Sequence, residues 1–293
     1  MTRAQRESSR ELLEAIAKLQ TAAKTRYGDA IIEVSLGPDG LRGAVALPGQ
    51  AEALRRLVGD LWPAARCQLL VLSTRHSRAA LYPLAEPMEI WRRRPDQGGP
   101  ERELTTELLP GDPPAELLAV RGGNYLVKAT GEAVGWVAHT ARFRFGPTQT
   151  LDCPGAAVVP RLGWDPEVVR QTALDLIGRP YVFGGTGGLG VDCSGLTWRA
   201  FLTAGVRLPR NSRAQRRTGE RVRLAELGAT DLICAVHREP RRTSHVALSL
   251  GDGEVVHACS ESHQVLRERL ADFRTRYQVL TVRRVPGAVG TPR

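Results

Sequence analysis

The chain of 293 residues contains no long hydrophobic run, so no segment of it reads as a membrane-spanning helix. Aromatic residues are scarce, at 5%, and they are not interleaved with basic ones. A nucleic-acid-binding surface is therefore not expected, even though the formal net charge is +10. Lysine is almost missing: Lys18, Lys24 and Lys128 are the only ones. The positive charge is arginine, spread along the chain rather than gathered into a basic arm. Cysteine is sparse and odd in number. Cys67, Cys153, Cys193, Cys234 and Cys259 contain no Cys-x-x-Cys pair, which argues against a disulfide framework and a zinc knuckle. No ligand cluster has metal spacing, so no metal or other cofactor is expected. The first residues, Met1 to Glu7, are polar and lack a signal-peptide pattern, which predicts a cytoplasmic location. What remains is ordinary for globular protein, with 42% hydrophobic and 25% charged residues. The length predicts two or three domains.

Residues 1–75 read as an α-β-β-α-β module, a small α+β unit. Its first helix, over 3–24, carries Leu12, Leu13, Ile16 and Leu19 as an apolar stripe. The element order is faintly similar to the BON modules of bacterial envelope proteins; a plain packing or oligomerisation module is the alternative. His76, between Arg75 and Ser77, reads as a surface residue, and residues 74–83 as a linker. From 84 to 146, short strands alternate with Gly/Pro turns and predict a small β-barrel. Leu109-Pro110-Gly111-Asp112, Tyr125-Leu126-Val127 and Gly135-Trp136-Val137 resemble the bacterial SH3-like domain, with Tyr125 and Trp136 as barrel core. Phe145 to Pro160, with Cys153, reads as a second linker.

The chemistry is concentrated in residues 160–285. Asp165-Pro166-Glu167 has the signals of a helix start. A glycine-rich loop follows, then Val191-Asp192-Cys193-Ser194-Gly195-Leu196 leads into a helix that Gly205 stops. Cys193 thus falls at the first turn, where the unpaired N–H groups and the positive dipole end favour thiolate over thiol. Downstream, Ser244 to Leu250 and Glu254 to Ala258 form a hairpin pattern around Gly251-Asp252-Gly253. Parity decides whether its two histidines can work together. A two-residue Asp-Gly turn puts His245 and His257 on opposite faces. A three-residue turn pairs Ala247 with His257 and makes the histidines diagonal neighbours, about 7 Å apart. Cys67 and Cys234 read as small buried hydrophobes and Cys259 as a bystander near the site. His139, His237 and His263 have no partner pattern and read as surface residues.

Tyr181 ahead of a Gly-Gly pair, Asp192-Cys193-Ser194-Gly195-Leu196, Leu208-Pro209-Arg210-Asn211-Ser212, His245-Val246 and Val256-His257-Ala258 together resemble the NlpC-type (C40) cysteine peptidases over about 164–285. The resemblance implies a papain-like catalytic domain preceded by the SH3-like barrel. It implies an enzyme cutting γ-D-glutamyl-diamino-acid bonds in peptidoglycan stem peptides, in wall turnover or muropeptide recycling. Cys193 would be the nucleophile, His245 the base and His257 its orienter; a neutral orienter suffices because the Cys–His pair can already exist as thiolate and imidazolium. Backbone N–H groups near Cys193, with Tyr181, would hold the oxyanion. Tyr181, Asp192, Ser194 and Ser212 would contact substrate, a wall peptide with a free N-terminal L-Ala whose amine pairs with Asp192. Several alternatives stand beside these. Cys193, His245 and His257 could be core residues, Tyr181 a packing residue, and Ser212 a helix N-cap. The same Cys–His chemistry could serve another amide, or the scaffold could bind wall peptide without cutting it. Ala229-Thr230-Asp231-Leu232 departs from the family's usual Pro-Gly-Asp-aromatic stretch, which leaves substrate choice open.

Overall fold

The structure, a computed structural model, describes residues 3–27, 31–72, 79–96, 103–147, 165–238 and 244–285. His76 and Cys153 lie outside the described residues. The chain forms two compact units. One holds the described residues up to Glu103 with Asp112–Ala129 and 134–147; the other holds Leu104–Gly111, Thr130–Ala133 and the described residues from 165 on.

The first unit begins with α1 (Arg3–Tyr27), β1 (Ile32–Gly37), β2 (Gly40–Val45), α2 (Pro48–Leu61) and β3 (Arg66–Val71). The strand order is β1-β2-β3. β1 and β2 are antiparallel and joined by a tight turn, whereas β2 and β3 are parallel. A parallel neighbour needs a crossover, and α2 supplies it, entered by Pro48 in its first turn. Leu12 and Ile16 of α1 and Leu54 and Val58 of α2 close the core over Leu41 and Val45. Leu13 lies off that stripe and is 53% exposed.

The chain continues through β4 (Ala80–Pro83), β5 (Met88–Trp91), β6 (Leu104–Leu108), β7 (Ala115–Arg121), β8 (Asn124–Lys128), β9 (Val134–Val137) and β10 (Phe143–Gly146). β6 belongs to the second unit. Within the first, the ladder runs β10-β4-β7-β8-β9-β5. The expected barrel is an open sheet among the described residues. β7 carries a bulge between Leu117 and Ala119, and β5 meets β9 at the single pair Trp91 and Trp136, too short a seam to continue a ring. β4 and the second half of β10, from Phe145, occupy stretches expected as linker. Trp136 is in the core with Leu118, Leu126, Val134, Ile31 and Ala46, so the first two predicted modules share packing. Tyr125 is half-buried in a separate cluster, edge-on to Phe143 and Phe145 at 5.2 and 5.6 Å.

The second unit contains α3 (Pro166–Asp175), α4 (Cys193–Thr203), α5 (Ser212–Gln215), β11 (Glu220–Val222), β12 (Leu232–His237), β13 (Ser244–Gly251), β14 (Glu254–Cys259), β15 (Gln264–Arg269), α6 (Leu270–Arg276) and β16 (Tyr277–Arg284). Its sheet has the order β11-β16-β12-β13-β14-β15 and is antiparallel throughout. Asp165 caps α3 by accepting from the Glu167 N–H at 2.8 Å. α3 packs on α4, and α4 packs on β13 and β14. Six residues of α4, from Leu196 to Phe201, include the fully buried Trp198 and Phe201. This mixed unit of helix and sheet brings the first turn of α4 against β13.

Candidate active site

Cys193 is the first residue of α4 and is buried, at 8% exposure. Its thiol lies against the backbone of Val246, the residue after His245. The glycine two residues on is required by contact: a Cβ at Gly195 would stand 2.1 Å from the Gly185 carbonyl oxygen. The surroundings of the two groups act against their charged forms. Burial first, then the Asp192 carboxylate, push the Cys193 thiol up to about 12, with backbone hydrogen bonding and Arg210 opposing. Burial first, then His257, His237 and Arg276, hold His245 well below the usual 6.5. Burial thus acts on both groups in the direction of their neutral forms. The dipole of the helix start is opposed first by burial and then by the Asp192 carboxylate, which caps the helix beside the thiol.

β13 and β14 bring the histidines together. His245 Nε2 is 2.9 Å from His257 Nδ1, and the rings meet edge-on at 5.0 Å. His245 is also stacked on Tyr277, centroid to centroid 4.3 Å, which fixes its plane. The register that allows this is the expected one, but the turn that produces it is not. Leu248 faces Val256 and Ser249 faces Val255, whereas Gly251 faces Glu254. The loop is a two-residue Asp252-Gly253 turn with φ of 48° and 74°, as a type I′ hairpin requires. Leu250 is an extra residue, bulged between Ser249 and Gly251. The bulge restores the parity that the two-residue turn alone would reverse.

The substrate-contact residues implied by resemblance behave differently from one another. Asp192 is the N-cap of α4 and accepts from Gly195 N at 2.6 Å, Gly184 N at 2.8 Å and Ser194 Oγ at 3.1 Å. Arg210 donates to both of its oxygens at 2.9 Å. A carboxylate has about four acceptor sites, and internal donors, Arg210 among them, occupy those of Asp192. Arg210 is equally consumed, donating also to Ser194 Oγ, the Gly185 carbonyl and Thr106 Oγ1. Ser194 is buried in this network. Ser212 is not the N-cap of α5: Asn211 is, accepting from Ala214 N at 2.9 Å, while Ser212 Oγ pairs with Ser244 Oγ at 2.9 Å beside His245. Tyr181 is half-buried within the field of Cys193 and Asp192; burial first, then these two groups, push its hydroxyl up.

Four residues carrying this arrangement were not singled out from the sequence as site residues. Glu268 Oε1 is 2.7 Å from His257 Nε2 and also accepts from Arg276. Arg210 locks Asp192. Gln215, fully buried, donates to the Ser194 and Pro209 carbonyls and accepts from Thr197. Glu107, on β6 and fully buried, accepts from the successive N–H groups of Thr186, Gly187 and Gly188 at 2.8–2.9 Å and, through its other oxygen, from Leu189. Its partner sites lie about eighty residues away in the chain, and no local pattern announces them. His237 is corrected from a surface reading: its ring lies 4.4 Å from Tyr277 and 6.0 Å from His245. His139 and His263 are exposed, and Cys259 is buried beside Tyr277 and Arg276.

A cysteine at the first turn of a helix, beside a strand histidine oriented by a second side chain, defines the class of cysteine hydrolases and acyl transferases. Residues 178–284 match the model of the NlpC/P60 family. It is 39% identical over 89 residues to a Bacillus cereus protein named gamma-D-glutamyl-L-lysine dipeptidyl-peptidase, a match covering 30% of this chain and 27% of that one. It is 38% identical over 96 residues to a Mycobacterium tuberculosis protein named as a probable endopeptidase, covering 33% and 24%. The chain thus spans about a quarter of the length of these two curated relatives. A solved NlpC/P60 family structure from Bacillus cereus aligns over 73% of this chain and 65% of that one, at 21% identity and a TM-score of 0.39.

Proposed function

We propose that the protein is a cysteine endopeptidase that hydrolyses γ-D-glutamyl-diamino-acid bonds in peptidoglycan stem peptides. The observation that carries this reading is the meeting of the Cys193 thiol with the strand bearing His245, whose ring is held 2.9 Å from His257. The names of the relatives supply the substrate class. In the proposed reaction Cys193 adds to the scissile carbonyl while His245 takes its proton. N–H groups of the first turn of α4 and the Tyr181 hydroxyl hold the oxyanion. His245 returns the proton to the leaving amine, and water, deprotonated by the same ring, then cleaves the thioester and releases the γ-D-glutamyl acid.

The test is incubation with L-Ala-γ-D-Glu-diaminopimelate and with its N-acetylated form, read by mass spectrometry. Release of L-Ala-D-Glu, lost in Cys193→Ala, is expected. Because Asp192 is already paired with Arg210, the acetylated peptide is expected to be cut as well. Cleavage of the free-amine peptide alone would mean that another group recognises the amine. No cleavage of either peptide would refute the substrate assignment.

A further inference from the structure

The line of hydrogen bonds that starts at His245 does not stop at His257. On β15, Leu266 faces His257 across the ladder, and Glu268 lies two residues further along, diagonal to the ring. Its Oε1 takes both the His257 Nε2 contact and a hydrogen bond from Arg276. His237, Cys259, Arg276 and Tyr277 face the two rings from β12, β14, α6 and β16.

We propose that Glu268 is a positioning residue that decides, through His257, which nitrogen of His245 carries its proton. A carboxylate paired with a guanidinium accepts and does not donate. The hydrogen between Glu268 and His257 therefore belongs to His257 Nε2. In the neutral ring the other nitrogen, Nδ1, is then a bare acceptor. The atom facing it is His245 Nε2 at 2.9 Å, which must supply the second hydrogen. His245 Nδ1 is left unprotonated, and it is the one ring nitrogen free to receive a proton from Cys193. Were the order reversed, both Nδ1 atoms would carry hydrogen and the base would be blocked. The inference rests on the reading of Cys193 and His245 as nucleophile and base, but the proton order itself requires no substrate.

The test uses the full chain with 15N-labelled histidine, as wild type, Glu268→Gln and Glu268→Met. Long-range 1H–15N spectra near pH 7.5 are expected to find Nε2 protonated and Nδ1 bare at both rings of the wild type. Gln keeps an oxygen where both donors point, so the pattern and the rate of Cys193 alkylation by iodoacetamide stay close to wild type. Met has similar bulk and no comparable acceptor, so both rings become tautomer mixtures and alkylation slows about tenfold or more. On the tripeptide, Met lowers kcat and leaves KM unchanged. A wild-type spectrum with hydrogen on Nδ1 of either ring overturns the proposal whether or not the Met variant folds, as does an unchanged ring pattern in Met. If the wild type cuts no peptide, the substrate assignment fails while spectra and alkylation still decide the role of Glu268.

Discussion

Two carboxylate–arginine pairs flank the Cys193–His245 pair, one at the start of α4 and one at the outer strand β15. The first, Asp192–Arg210, is 9% and 6% exposed, and every donor of the guanidinium is used. The second, Glu268–Arg276, is 14% and 31% exposed, and one oxygen of its carboxylate is shared between the arginine and a histidine ring. Burial and complete pairing make the first a clamp: it fixes the glycine-rich loop and the helix start. The second touches a titratable ring and feels each change in that ring's charge. The same pair of residue types serves as framework in one place and as electrostatic partner in the other.

The contrast breaks most severely at Arg210. Arg210→Met leaves the Asp192 carboxylate buried without its cation, and is expected to cost about 3–5 kcal/mol of unfolding free energy, read as a lower urea midpoint. Glu107→Gln offers one oxygen to a nest of N–H groups that now use two, so about 1–3 kcal/mol should be lost; an unchanged midpoint would mean the loop does not depend on that strand. At the outer pair the effect on stability should be smaller. Glu268→Met is expected to lower stability by about 1 kcal/mol while affecting turnover far more, the reverse of Arg210→Met. Ser212→Ala, which removes one hydroxyl pair, should change stability by about 0.5–1 kcal/mol.

Acid sharpens the same comparison. His245 and His257 are both held below 6.5, chiefly by burial. In the folded chain these rings stay neutral below pH 6.5 while their unfolded counterparts bind protons. The unfolded state then carries more protons, so stability is lost as pH falls, by at most about 1.4 kcal/mol per unit for each ring. Urea midpoints measured from pH 7.5 to 5 should decline accordingly, and a His257→Asn chain should decline less steeply. The acid limb of kcat/KM should lie below 6.5 for the same reason.

Much of the site is legible in the sequence because it is local. The helix start at Cys193, its stop at Gly205 and the two histidine strands follow from periodicity and turn residues within a few positions. The pairings that decide charge are not local. Arg210 meets Asp192 from 18 residues away and Glu107 meets Thr186 from 79, and no single helix or strand spans either pair. The effect of burial on Cys193 is hidden for a related reason: the helix dipole is a local quantity, whereas burial is set by the whole unit. The open sheet of the first unit was misread as a barrel because short strands and turns fix strand number better than closure.

The bulge at Leu250 has a consequence for how this hairpin can change length. Side chains on a strand have only two directions, so the distance along the chain from His245 to His257 matters as an even or odd count, not as a span. Lose Leu250 alone, and the two rings leave each other for opposite sides of the sheet with every strand still in place. Lose or gain two residues at the tip, and they stay together. Insertions and deletions at this turn that spare the histidine pair should therefore come in twos, unless a further bulge absorbs the remainder.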